Sequence, residues 1–88
     1  MAYTLFLLRK AEKQLLSLDP TMQKRIAEKL AWLGSLEDPS NVLKFLNNKR
    51  LGDARLRVGE FRLVLVLDGT SKKITVIRIG HRSDVYKF

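Results

Sequence analysis

Side chains able to do chemistry gather in three stretches. FRLVLVL (61–67) carries a single cation, Arg62, inside an apolar run. ARLRV (54–58) places Arg55 and Arg57 two residues apart, on one side of an extended strand. GHRSDVYKF (80–88) holds His81, Arg82, Tyr86 and Lys87 at the end of the chain. A guanidinium keeps its proton to above about pH 12, so it holds anions and does not act as a base. Its planar fork matches two oxygens of a phosphate. An imidazole, with an ordinary pKa of about 6.5, moves a proton in either direction. A phenol ordinarily titrates at about 10, and surrounding cations favour its anion. These residue types describe a site that grips an anion and moves protons without a metal. Each also has a plain structural use. His81 can be a surface ring, Tyr86 and Phe88 can anchor the terminus by packing, and Arg62 can pair with Glu60 or Asp84. Arg62 is the hardest of these to explain structurally, because a charge in a central strand needs a partner or a ligand.

The charge distribution favours an anionic partner. The 88 residues carry a formal net charge of +8. Residues 1–43 have six Lys/Arg against five Asp/Glu, and residues 44–88 have eleven against four. A protein basic in one half suggests a polyanion, most often nucleic acid. Lys49, Arg50, Arg57, Arg78 and Lys87 are candidate phosphate contacts, which position a strand without reading its sequence. With no cysteine, disulfides, thiol catalysis and Cys-based metal sites are excluded. With one His and no clustered carboxylates, neither a metal site nor any other cofactor is expected. No apolar run reaches the roughly 18 residues of a membrane span, and MAYTLFLLRK lacks the basic start of a signal peptide. A cytoplasmic protein without membrane contact is the expectation.

The elements that must position these residues are set by periodicity. YTLFLL (3–8) reads as a strand, and a helix of about ten residues starts from Arg9. Asp19-Pro20 supplies an N-cap and a first-turn proline for a second helix. Met22, Ile26, Leu30 and Leu33 form its apolar stripe, Ala27 and Ala31 allow close approach, and Gly34 stops it. Trp32 is assigned to helix–sheet packing. In the irregular stretch 35–50, Val42, Leu43, Phe45 and Leu46 are expected to pin the chain to the core. Strands at 54–58, 61–67 and 74–79 come next, joined by Gly59-Glu60 and by DGTSKK (68–73). The sum is one α+β domain over residues 1–88, ordered β-α-α-β-β-β, with a helical hairpin on an antiparallel sheet. The strand at 61–67 is apolar on both faces, and the hairpin can cover only one. The other face is left to the C-terminal tail or to another protein.

LGDARLRVGEFRLVLVL, a hairpin, then ITVIRIGHRSDVYKF resembles the RelE/ParE superfamily of toxins from bacterial toxin–antitoxin pairs. The resemblance covers nearly the whole chain. It implies a curved antiparallel sheet with a helical hairpin, and an antitoxin that covers the toxin and binds operator DNA with it. The RelE branch, favoured here, implies an mRNA endoribonuclease that acts in the ribosomal A site. The ParE branch implies a non-catalytic inhibitor of DNA gyrase. The family's functional positions fall on Arg62, Arg82 and Tyr86, with Arg55 at a position where the family has a lysine. Another lysine position is occupied by Asp53, a reversal of charge that Arg57, Lys49 or Arg50 would have to offset. Related nucleases use a late His as acid or base, a role open to His81.

Overall fold

The computed structural model describes residues 2–45 and 53–81. In chain order the elements are β1 (Thr4–Leu7), α1 (Arg9–Leu16), α2 (Pro20–Ser35), a single 3-10 turn (Pro39–Val42), β2 (Lys44–Phe45), β3 (Ala54–Val58), β4 (Phe61–Asp68) and β5 (Lys73–His81). They form two helices and a five-stranded sheet in the order β1-β5-β4-β3-β2. The α+β class and the β-α-α-β-β-β order match the sequence expectation, with two-residue β2 added. The sheet is mixed, because β1 pairs in parallel with β5 while the other pairs are antiparallel. A parallel pair needs a long connection, which the intervening helices and meander provide.

Asp19 caps α2, its side chain accepting the Met22 N–H at 3.0 Å, and Pro20 fills the first turn. Gln23 donates from Nε2 to the carbonyls of Leu16 (3.2 Å) and Leu18 (2.7 Å). It thus satisfies carbonyls orphaned at the end of α1 and fixes the angle of the hairpin. The α2 stripe sinks Ile26, Leu30 and Leu33 into the core against Ala54, Leu56, Val58, Leu63, Leu65, Ile74, Val76 and Ile79.

Alternation along β5 changes phase. Val64 faces Arg78, but Leu65 faces Val76, so Ile77 is the extra residue of a bulge. The shift lets both Val76 and Ile79 reach the helix-side core. β1 pairs only as far as Val76, and α1 takes over further along β5: the Ile79 N–H donates to Gln14 Oε1 at 2.7 Å. The β3–β4 turn has φ +60° at Gly59, the first of its two central residues, with Val58 paired to Phe61. Positive φ at that position is the II′ requirement that glycine meets.

Three packing expectations change. Trp32 is 42 % exposed and lies beside Lys29 in a surface groove, not between helix and sheet. Leu43 is buried, but Val42 and Phe45 are exposed, and Leu46 lies outside the described residues. Position 45 sits on a two-residue edge strand and keeps its side chain exposed. Ala27 and Ala31 face solvent and line an open apolar groove of about 270 Å³ with Leu5, Leu7, Leu15 and Leu30.

Candidate anion site on the open face of the sheet

Register decides which side chains share a face. Across the ladder Lys44 faces Arg55, Arg55 faces Val64, and Val64 faces Arg78. Arg57 faces Arg62, and Arg62 faces Gly80 on its other side. All of these residues lie on the side away from the helices, since Leu56, Leu63 and Ile79 between them belong to the helix-side core. Val64 is fully buried yet stands outside that core cluster, flanked by Arg55 and Arg78. The aliphatic stems of such arginines can shield an apolar residue while their heads stay polar.

A cleft of about 250 Å³ opens on this face, lined by Val42, Lys44, Arg55, Arg57 and Arg62. Four of the five lining residues are cationic. Like charges directly opposite one another on adjacent strands destabilise a sheet, and Arg57 faces Arg62 in this way. Nη1 of Arg62 is buried with no hydrogen-bond partner among the described residues, an arrangement that costs free energy unless a further group fills it. Gly80, opposite Arg62, contributes no side chain. Arg57 is the exposed member of the group, and its Nε donates to the Gly59 carbonyl at 3.3 Å. An anion with several oxygens, such as a phosphate, is the ligand this donor set suits.

Sequence-predicted residues divide into three groups. Arg55, Arg57 and Arg62 come together in the cleft. His81 does not join them. It pairs with Phe61 and therefore occupies the helix-side face at the end of β5. Its ring meets Phe61 edge-on with centroids 5.9 Å apart, and Nε2 lies 3.9 Å from Glu60 Oε2. An odd-even difference of one residue along β5 separates it from the face of Arg62. Arg78 lies on the correct face but is only 8 % exposed, so it offers RNA little surface. It flanks Val64 within the sheet instead. Lys49, Arg50, Arg82, Tyr86 and Lys87 lie outside the described residues. Lys44, which sequence did not single out, and Val42, which sequence assigned to the core, also line the cleft. Only the pairing of Lys44 with Arg55 brings them there, and a two-residue strand has no periodicity to announce it.

Asp53 explains its own departure from the family pattern in part. Its Oδ2 accepts the Leu67 N–H at 3.3 Å, and its own N–H donates to Leu65 O at 3.0 Å. The carboxylate extends the β3–β4 ladder at a point where a lysine could accept nothing.

Known proteins share both the sequence pattern and the fold. Residues 5–86 match the family model described as ParE toxin of type II toxin-antitoxin system, parDE. The chain belongs to this family. It is a type II toxin of the RelE/ParE superfamily. Toxin RelG of Mycobacterium tuberculosis is 28 % identical over 87 residues, covering 99 % of each chain. The RelBE2 toxin–antitoxin complex of M. tuberculosis contains a chain superposing with a TM-score of 0.77 at 26 % identity, covering 96 % of this toxin and 95 % of that chain. The fold recurs in the intact E. coli RelBE complex, with a TM-score of 0.74 at 20 % identity over 91 % of this toxin and 96 % of that chain. In the archaeal RelE–RelB complex from Pyrococcus horikoshii the TM-score is 0.75 at 20 % identity, over 97 % of this toxin and all of that chain. Among the described residues no helix is long and apolar enough to cross a membrane.

Proposed function

We propose that this toxin is an mRNA endoribonuclease that acts on the translating ribosome and is held inactive by a cognate antitoxin. The observation that carries this is the cleft itself, where Arg57 directly opposes Arg62 and Arg62 buries an Nη1 that has no partner among the described residues. A sheet that keeps opposed guanidiniums is organised for an anion. In RNA cleavage that anion is the scissile phosphate. The 2′-oxygen attacks phosphorus and forms the new P–O bond, and the bond to the 5′-oxygen breaks. The products are a 2′,3′-cyclic phosphate and a 5′-hydroxyl. Arg62 and Arg55 hold the phosphate oxygens and stabilise the charge that builds on them, while Arg57 and Lys44 steer the strand. One group must take the 2′-OH proton and another must return one to the leaving oxygen. His81 faces Glu60 and Phe61 on the other side of the sheet, which leaves Tyr86 as the candidate base. Arg82 is assigned to the phosphate, and Lys49, Arg50 and Lys87 to the RNA backbone. The antitoxin would cover this face and bind operator DNA with the toxin. The toxin would work in the cytoplasm, at the ribosomal A site.

A second reading has its own support. The matching family model is that of ParE toxins, so a non-catalytic inhibitor of DNA gyrase is the alternative. Mapping mRNA 5′ ends in cells expressing the toxin separates the two. Cuts confined to translated regions, and lost in Arg62→Ala, support the nuclease. Growth arrest with intact mRNA and broken DNA replaces it with the gyrase reading.

A further inference from the structure

A second groove, of about 700 Å³, lies around the edge of the sheet from the cleft. It is lined by Arg25, Glu28, Lys29 and Trp32 of α2 and by Arg57, Val58 and Gly59 of the β3–β4 hairpin. The α2 residues fall at successive intervals of three, one and three, so they form one stripe. It is distinct from the buried stripe of Ile26, Leu30 and Leu33. Three cations against one carboxylate line the groove. Trp32 is a large aromatic left 42 % exposed, with Lys29 Nζ 4.4 Å from its ring centroid. The lysine covers one side of the indole, and the rest of its surface contributes to the groove wall. Arg57 lines both the groove and the cleft, so the two form one basic track around the sheet edge.

We propose that this groove is a second RNA subsite, in which a single-stranded segment continuing past the cleft stacks one unpaired base on Trp32. Arg25, Lys29 and Arg57 would hold the phosphates on either side of that base. Cations along a backbone track with an aromatic platform between them are the means by which proteins hold single strands without reading sequence. Lys29 also holds the indole in place through its cation–π contact. The inference deepens the nuclease reading, and its test separates the two.

Trp32 is the only tryptophan in the chain, so its fluorescence reports on this groove alone. The isolated toxin is titrated with a short 2′-O-methyl oligoadenylate, which lacks the hydroxyl needed for cleavage. Saturable quenching is expected. Trp32→Ala, followed by a labelled oligonucleotide, should weaken binding by about 5- to 150-fold, the effect of one stacked base. Trp32→Phe should recover part of that loss. Trp32 is exposed, so a matching thermal melt confirms that each variant is folded. Quenching of the wild-type toxin, alongside absent mRNA cuts in cells expressing that same wild-type toxin, keeps the subsite and removes the nuclease. RNA that binds without quenching, with Trp32→Ala unchanged, overturns the subsite and leaves the nuclease standing. No binding of the oligonucleotide at physiological salt also overturns the subsite.

Discussion

The two faces of this sheet are built from the same strands and solve opposite problems. On the helix side, Leu56, Leu63, Leu65, Ile74, Val76 and Ile79 are buried against α1 and α2. On the other side, Lys44, Arg55, Arg57 and Arg62 surround a cleft with one buried valine beside it. The first face stabilises the fold. The second gives up stability to opposed like charges and a buried guanidinium nitrogen with no partner among the described residues. Residues on the second face should therefore matter to activity and little, or inversely, to folding.

Arg62 gives the largest test. Replacing Arg62 with Met keeps much of the stem and removes the charge. Loss of one preorganised donor from a charged transition state typically costs about 10²–10³ in rate. The expected outcome is a fall of that order in mRNA cleavage with a melting temperature equal to or above that of the wild type. A stability gain is expected because the unsatisfied Nη1 is gone. A large drop in melting temperature would mean that Arg62 is part of the scaffold, and the contrast between faces would fail at its central residue.

Leu63, next to Arg62 in sequence, is the converse. It is fully buried on the helix side. Leu63→Ala should cost about 2–5 kcal/mol, read from urea unfolding. The protein that remains folded should keep its RNA affinity. A one-residue step along β4 thus exchanges an effect on chemistry for an effect on folding. Equal effects of both substitutions on both measurements would erase the distinction.

That alternation is also what made much of the molecule readable from sequence. The capped and proline-started α2, the three late strands and the pairing of Arg55 with Arg57 on one face are all written in short-range pattern. The illegible parts depend on pairing between distant segments. Lys44 joins the cleft only through a two-residue strand, and β1 lies parallel to β5 because of where the crossover returns it. The bulge at Ile77 lets ITVIRI seat both Val76 and Ile79 in one core, which simple alternation forbids. His81 shows the limit most clearly. Its type and its proximity to Arg82 suggested the site, while its parity on β5 places it on the opposite face, beside Phe61.

Asp53 sits at the boundary of the comparison, an acid beside the basic face that carries a ladder hydrogen bond. Asp53→Ala removes the acceptor for the Leu67 N–H and should cost about 1 kcal/mol. Asp53→Asn keeps an acceptor and should cost less, while removing a negative charge near Arg55. RNA affinity should rise modestly in Asp53→Asn, and more at low salt than at high, since a surface charge is screened. An Asn variant as unstable as the Ala variant would show that the charge itself, and not the acceptor, holds the ladder.

The smallest effect belongs to the turn that serves neither face. Asp68 ends β4 about 20 Å from Arg62, by the rise of an extended strand. Its carboxylate accepts the N–H groups of Thr70 (3.0 Å) and Ser71 (3.2 Å). Hydrogen bonding from Ser71, foremost, holds its pKa below the ordinary carboxylate value, with lesser help from Thr70 and Lys73. A carboxylate whose pKa is lowered by folding stabilises the protein above its unfolded pKa. The benefit is lost as the pH falls through the folded value. The group is fully exposed, so the benefit is small. Asp68→Asn should therefore melt slightly below the wild type at neutral pH, and the gap should close in acid below the ordinary value of 3.8. RNA cleavage should be the same in both, because the turn and the cleft lie at opposite ends of β4. A gap that widens in acid would reverse the sign and show that the turn prefers a neutral side chain.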